Sequence, residues 1–127
     1  MKMPNSKFLV AIVDDDQRMI ESLENLLESA GYTVRAFSSA QTLLASSTLP
    51  KIDCLVTDVC MPGMDGFELQ HLMGEKRPDL PVIMITGRHE FVELRRAKHR
   101  RLFRKPFEGQ ALLAAIGDAL TGKENPP

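Results

Sequence analysis

Acidic side chains follow two apolar segments of this chain. Asp14, Asp15 and Asp16 come directly after the first segment, and Asp58 lies near the end of another. One acid is enough to cap a following helix, whereas three adjacent carboxylates repel one another unless a cation gathers them. Carboxylate oxygens without softer ligands suit a hard divalent cation, above all Mg²⁺. Helix capping and metal binding are therefore both open explanations for the acidic residues.

Thr86 and Lys105 complete the set of residues that could do chemistry. Thr86 is followed by Gly87, which leaves room beside it, and Lys105 is followed by Pro106. Taken singly, the threonine is explained as a helix cap and the lysine as a solvated charge. Carboxylates that hold Mg²⁺, together with a hydroxyl and an ammonium that meet phosphoryl oxygens, suit phosphoryl transfer. This chemistry requires that the fold bring all of these side chains to one cleft.

Short apolar segments alternate along the chain with segments of helical periodicity, which predicts strands and helices in turn. The predicted strands are residues 8–13, 32–37, 52–59, 82–86 and 101–104. The predicted helices are residues 19–30, a short helix to about residue 45 capped by Ser38 or Ser39, and residues 67–76, 91–97 and 108–120. This alternation predicts an α/β fold, a doubly wound parallel sheet of five strands with five helices covering both faces. In such sheets functional groups gather beyond the carboxyl ends of the strands, where every candidate residue falls.

The length of 127 residues fits one domain, and 43% hydrophobic with 26% charged residues is typical of a globular chain. The net charge of −1 hides a division of charge along the chain. Residues 1–75 carry five basic and eleven acidic residues, a net of −6, and residues 76–127 carry eleven and six, a net of +5. No apolar segment approaches the roughly 18 residues of a membrane span or has the flanks of a signal peptide. We therefore expect no membrane partner.

The two cysteines, Cys54 and Cys60, are six residues apart in one predicted strand. That spacing places their Cα atoms about 20 Å apart, too far for a disulfide. No Cys-x-x-Cys pair or histidine cluster accompanies them, so a zinc site is not indicated. We expect free thiols, which fit a reducing cytoplasm.

Four segments together resemble the receiver domain of two-component response regulators. They are Ile12-Val13-Asp14-Asp15-Asp16, Thr57-Asp58-Val59-Cys60-Met61-Pro62-Gly63-Met64-Asp65-Gly66, Ile85-Thr86-Gly87 and Lys105-Pro106-Phe107. The resemblance extends from about Phe8 to Leu120, and its most specific part is the strand-end aspartate followed by Met-Pro-x-Met-Asp-Gly. It implies a flavodoxin-like sheet with strand order 2-1-3-4-5. It also implies a receiver domain over residues 1–121, followed by a tail or the start of a linker over residues 122–127.

The resemblance implies a signalling switch, a phosphoacceptor domain and not an enzyme acting on a separate substrate. Asp58 is then the residue that takes a phosphoryl group from a phosphohistidine. Asp15, Asp58 and the backbone carbonyl of Cys60 are expected to bind Mg²⁺ directly, and Asp14 to bind it through a water. The phosphodonor is a sensor histidine kinase or a histidine phosphotransfer protein.

The same resemblance implies how the signal leaves the site. Lys105 pairs with the phosphoryl group, and its bond to Pro106 is cis in the family. Thr86 turns toward the phosphoryl oxygens, since an aspartyl phosphate adds a charge approaching −2 that new donors must compensate. In the family, the fourth helix, fifth strand and last helix form the common dimerisation and output face. The resemblance is compatible with a homodimer, with a DNA-binding output domain beyond this chain and equally with a stand-alone receiver.

The chain departs from the family pattern between its fourth strand and the lysine. Leu102 stands where family members usually carry an aromatic residue, and strand alternation points Phe103 to the opposite face. This stretch is a few residues shorter than expected, and Lys98-His99 replaces the usual Gly-Ala pair. We therefore expect the fourth helix to be shortened or displaced.

A basic cluster occupies the same stretch. Its members are Arg95, Arg96, Lys98, Arg100, Arg101, Arg104 and Lys105. A solvated face and a docking surface for an acidic partner, or for the acidic face of a second copy, are both open explanations. Cys60 and Arg88, two residues after the candidate aspartate and threonine, occupy positions that tend to modulate phosphoryl lifetime in the family.

Two other functions remain open on the sequence. Asp14-x-Asp16 after a strand fits the nucleophile and acid/base spacing of haloacid-dehalogenase-type phosphatases, with Asp14 as the nucleophile. That superfamily also needs a second acidic pair after the lysine, which this chain lacks. A receiver-like adaptor that is never phosphorylated would explain Leu102 and the short fourth helix, although every residue of the phosphorylation site is present.

Overall fold

The computed structural model describes residues 8–87 and 101–121. Within them, five parallel strands form one sheet in the order β2-β1-β3-β4-β5. The strands are β1 (Leu9–Val13), β2 (Thr33–Phe37), β3 (Cys54–Asp58), β4 (Val82–Thr86) and β5 (Leu102–Arg104). The helices are α1 (Gln17–Ser29), α2 (Ala40–Leu44), α3 (Gly66–Lys76) and the C-terminal helix (Gly109–Thr121), with a 3₁₀ turn at Leu49–Lys51. The predicted fold class and strand order are confirmed.

The three central strands are continuous apolar segments because both of their faces are covered. Every residue of β3 and β4 is buried, as is β1 after Leu9. The edge strand β2 is half-exposed, with Thr33 and Arg35 facing solvent. The sequence therefore shows the strongest strand signal where the sheet is most enclosed.

Two apolar layers pack on the two faces of the sheet. On one face, Ile20 and Leu27 of α1 and Leu112 of the C-terminal helix pack among residues of β1, β3 and β4. On the other, Leu43 of α2 and Met73 of α3 lie in a second cluster with alternate residues of the same strands. In β5, Leu102 belongs to the α2/α3 layer and Phe103 to the α1 layer, as predicted from strand alternation.

Short polar residues fix where the helices begin. Asp16 caps α1 by accepting a hydrogen bond from the backbone of Arg18, and Ser39 caps α2. Asp65 and Glu68 form a reciprocal capping box at the start of α3. Of the two serines predicted as the cap of the second helix, Ser39 is the one used.

The predicted boundaries differ from the observed ones by one or two residues. The third strand begins at Cys54, and Asp53 just before it accepts a side-chain hydrogen bond from the backbone N–H of Leu9. Arg101 lies just outside β5, although its carbonyl oxygen still accepts a hydrogen bond from Met84. The predicted fourth helix, residues 91–97, lies outside the described residues, as does its expected shortening.

Cys54 and Cys60 are both free thiols, as predicted. None of the helices in residues 8–87 and 101–121 has the length and apolarity needed to cross a lipid bilayer.

Candidate functional site

Strand register brings the candidate acids to one edge of the sheet. Val13, the last residue of β1, lies beside Thr57 of β3, so Asp14 and Asp58 leave the sheet side by side. One carboxylate oxygen from each of Asp14, Asp15 and Asp58 lies within 4.8 Å of the others. Asp14 is 1% exposed and Asp58 is 6% exposed, whereas Asp15 faces solvent.

The two explanations for the acidic run apply to different residues. Asp16 caps α1, and Asp14 Oδ1 accepts a 2.9 Å hydrogen bond from the backbone N–H of Asp16. This bond turns the chain so that the carboxylates of Asp14 and Asp15 join Asp58. Three clustered carboxylate oxygens form a donor set that suits a hard, oxygen-seeking cation such as Mg²⁺. The residues present therefore fit the implied metal.

Lys105 places an ammonium group between the two buried carboxylates. Its Nζ lies 3.5 Å from Asp14 Oδ2 and 3.5 Å from Asp58 Oδ1. Lys105 follows β5 directly, and its backbone N–H donates a 2.7 Å hydrogen bond to the carbonyl oxygen of Thr86. The peptide bond between Lys105 and Pro106 is cis, as the resemblance implied.

The site is electrostatically strained despite this lysine. Burial raises the pKa of Asp58 to about 6, with a further rise from the Asp14 carboxylate that Lys105 only partly offsets. Burial also raises the pKa of Asp14, against the opposing effects of the Asp16 N–H and Lys105. Two buried carboxylates and one ammonium leave excess negative charge at a poorly solvated site. This charge favours the binding of a cation.

Thr86 lies at the same edge, since its neighbour Ile85 pairs in register with Asp58. Its side chain is 1% exposed, and its Oγ1 lies 3.8 Å from the Sγ of Cys60. The resemblance implied that Cys60 modulates phosphoryl lifetime, but sequence reasoning missed this contact. Both residues lie at or just after the ends of neighbouring strands. Their positions in the predicted sheet could therefore have predicted the contact.

Gly66 holds the loop after β3 against the strand that carries Asp58. Its N–H donates a 2.8 Å hydrogen bond to the carbonyl oxygen of Val59. A Cβ at this position would lie 2.6 Å from the backbone oxygen of Asp58 and 2.8 Å from the Cα of Val59. Only glycine allows this approach, and Gly63 supports the same loop with a φ of 76°.

Other expectations for this region lie partly outside the described residues. Arg88 and the basic residues from Arg95 to Arg100 fall there. Leu102, where the resemblance implied an aromatic residue, is 4% exposed and packs in the α2/α3 layer. It is therefore a core residue in this structure.

Comparison with known proteins agrees with this geometry. The family model described as the response regulator receiver domain matches residues 10–117. The response regulator protein TmoT of Ectopseudomonas mendocina is 36% identical over an alignment of 132 residues, gaps included, which covers 98% of this chain and 60% of TmoT. The transcriptional regulatory protein FixJ of Bradyrhizobium diazoefficiens is 36% identical over 118 residues, covering 91% of this chain and 58% of FixJ. The chain thus spans about three-fifths of the length of these curated relatives.

Solved structures are similar along the same stretch. The response regulator StyR superposes with a TM-score of 0.78 at 40% identity, covering 91% of this chain and 60% of StyR. The crystal structure of FixJ-N superposes with a TM-score of 0.75 at 34% identity, covering 90% of this chain and 94% of that one. Strand order, the acidic edge and these matches agree, and the chain belongs to the family of response regulator receiver domains.

Proposed function

We propose that Asp58 is the phosphoacceptor of this receiver and takes its phosphoryl group from the phosphohistidine of a sensor histidine kinase or a histidine phosphotransfer protein. Receiver domains are signalling phosphoacceptor domains, not enzymes with a separate substrate. The observation that carries the proposal is the position of Asp58. It is the carboxylate at the end of the central strand β3 that lies beside both another acid and Lys105.

The transfer is a displacement at phosphorus. A carboxylate oxygen of Asp58 forms the new P–O bond as the P–N bond to the donor imidazole breaks, and the imidazole leaves with the bonding electron pair. With a pKa of about 6, Asp58 is mostly ionised at neutral pH and can act as the nucleophile. Lys105, 3.5 Å from Asp58 Oδ1, is placed to pair with the negative phosphoryl oxygens.

Mg²⁺ is the cofactor that this donor set supports. Asp15, Asp58 and the backbone carbonyl of Cys60 would hold the ion directly, and Asp14 would hold it through a water. When bound, the ion supplies positive charge to the phosphoryl oxygens and offsets the repulsion between the carboxylates. The clustered carboxylate oxygens support this assignment.

Thr86 is the proposed first step of signal output. An aspartyl phosphate carries a charge near −2 and needs new hydrogen-bond donors, and the Thr86 hydroxyl at the end of the neighbouring strand can supply one. The change would reach the face formed by the segment after β4, β5 and the C-terminal helix. The receiver would occupy residues 1–121, with residues 122–127 as a tail or the start of a linker.

The downstream partners are proposed from the relatives. FixJ is named a transcriptional regulatory protein, and a beryllofluoride-activated NtrC4 receiver domain has been solved as a dimer. TmoT and FixJ extend well beyond the length of this chain. We propose a cytoplasmic receiver that forms a homodimer and controls a DNA-binding output domain.

The test is covalent phosphorylation. Incubation with Mg²⁺ and a small phosphodonor such as acetyl phosphate should add one phosphoryl group to the intact mass. Asp58→Asn should abolish the adduct, whereas Asp79→Asn, which removes an exposed carboxylate outside the cluster, should leave it unchanged. No adduct, or an adduct that survives Asp58→Asn, contradicts the proposal.

The same experiment separates the competing functions. A haloacid-dehalogenase-type phosphatase would carry its covalent phosphate on Asp14, with Asp16 as acid/base. The Asp16 carboxylate instead caps α1, which disfavours that role. An adaptor that is never phosphorylated would give no adduct in any variant.

A further inference from the structure

The thiol of Cys60 meets the hydroxyl of Thr86 across the space between the loop after β3 and the end of β4. The distance of 3.8 Å between Sγ and Oγ1 is that of a weak hydrogen bond involving sulfur. Thr86 is almost fully buried, whereas Cys60 is half-buried. The contact therefore joins the proposed switch residue to a side chain at the rim of the site.

Thr86 is β-branched, so its side chain is stiff about χ1 and its hydroxyl occupies one staggered position at a time. The position seen here is the one that meets Sγ of Cys60. We expect a hydroxyl that turns to a phosphoryl oxygen on Asp58 to give up this contact. The strength of the contact therefore sets part of the free energy of turning.

We propose that Cys60 is a positioning residue whose thiol holds the Thr86 hydroxyl in its resting position and thereby lowers the affinity of the site for a phosphoryl group. This inference rests on the proposed function of Asp58 and Thr86. A thiol is a weak hydrogen-bond partner, so it holds the hydroxyl only lightly. The contact then contributes only a small part of the free energy of turning.

A double-mutant cycle tests the proposal. The affinity of the Mg²⁺-loaded protein for fluoroberyllate, a mimic of the phosphoryl group, is measured by calorimetry. The proteins are the wild type, Cys60→Ala, Thr86→Ala and the double variant. In the wild-type background, Cys60→Ala should tighten binding about threefold, the size of effect expected from losing one weak hydrogen bond. In the Thr86→Ala background, Cys60→Ala should change nothing, because the hydroxyl on which the thiol acts is absent.

Thr86→Ser provides the conservative rescue, since it restores a hydroxyl and should restore the sensitivity to Cys60→Ala. A side chain that merely shapes the loop or shields the site would instead act equally in every Thr86 background. Equal effects in all backgrounds, or no tightening in the wild-type background, overturn the proposal.

Cys54 supplies the matched control. It is the other cysteine of the chain, fully buried at the opposite end of β3, roughly 13 Å along the strand from the site. Cys54→Ala should show no coupling to Thr86→Ala, and coupling of the same size there would overturn the specific role of Cys60. Failure of the wild type to bind fluoroberyllate would overturn the proposed function itself. Additive effects in a protein that binds it would overturn the role of Cys60 alone.

Discussion

Acidic side chains lie in opposite environments at the two ends of the parallel strands, which we call the carboxyl edge and the amino edge of the sheet. At the carboxyl edge, Asp14 and Asp58 lie buried together, and burial raises the pKa of both. At the amino edge, Asp53 accepts a 2.7 Å hydrogen bond from the first backbone N–H of β1. In the segment before β4, hydrogen bonds from Arg77 lower the pKa of the exposed Asp79. Asp53 and Asp79 at the amino edge satisfy hydrogen-bond donors, whereas Asp14 and Asp58 at the carboxyl edge repel each other.

This difference between the two edges indicates that the functional site lies at the carboxyl edge. A buried carboxylate whose pKa is raised makes the folded protein less stable than a neutral side chain would. Lys105 lies within 3.5 Å of both acids, yet the pKa of Asp58 remains about 6. Perturbed acids at the end of a central strand are typical of functional sites. The acids at the carboxyl edge therefore destabilise the folded protein, whereas those at the amino edge stabilise it.

The largest expected effect is a gain of stability from removing a site acid. Asp58→Asn should raise the free energy of unfolding of the metal-free protein by about 3 kcal/mol at pH 7, the equivalent of a pKa raised from 3.8 to about 6. Urea unfolding in EDTA measures the change. A loss of stability would show that Asp58 makes stabilising interactions in the folded protein, as the amino-edge acids do.

Mg²⁺ provides the control for that prediction. A bound cation compensates the carboxylates of the wild type, so adding Mg²⁺ should stabilise it and narrow its difference from Asp58→Asn. Chelation should restore the difference. An unchanged difference at saturating Mg²⁺ would mean that Asp58 is not part of the cation site.

The same stability difference should depend on pH in a defined window. The folded-state pKa of Asp58, about 6, lies above its ordinary value of 3.8. Between these values the folded state binds more protons than the unfolded state, so the penalty from Asp58 shrinks as pH falls and is gone below the lower value. Urea unfolding of the wild type and Asp58→Asn is measured at several pH values. The difference between their free energies of unfolding should be about 3 kcal/mol above pH 7 and almost zero near pH 4. A difference that is constant with pH would contradict an electrostatic origin.

A smaller effect is expected from the backbone that carries the site. Gly66→Ala forces a Cβ against the backbone of Asp58 and Val59 and should cost about 2 kcal/mol, as well as weakening phosphorylation of Asp58. Gly74 is the matched control, because a Cβ there meets nothing within 4 Å. Gly74→Ala lies within α3 and should stabilise the protein by about 0.5 kcal/mol. Equal effects of the two substitutions in urea unfolding would refute the close approach at Gly66.

The sequence predicted which residues share the site more completely than it predicted the hydrogen bonds and contacts that position them. Continuous apolar segments identified the central strands because those strands are covered on both faces. Parallel topology then required the acids, Thr86 and Lys105 to share an edge. Local pattern could not tell which acid of the run caps α1, since that depends on how the chain turns after β1. Nor could it show the contact between Cys60 and Thr86, 26 residues apart, which exists only in the folded sheet.

The smallest effect tests the amino edge directly. Asp53→Ala removes the acceptor of the 2.7 Å hydrogen bond from Leu9 and should lower the free energy of unfolding by about 1 kcal/mol, because that N–H loses its carboxylate partner. Asp53→Asn keeps an acceptor oxygen and should recover most of the loss. Fluoroberyllate affinity should be unchanged in both variants, since Asp53 lies at the far end of β3 from Asp58. If Asp53→Ala instead stabilised the protein as Asp58→Asn does, the contrast between the two edges would be wrong.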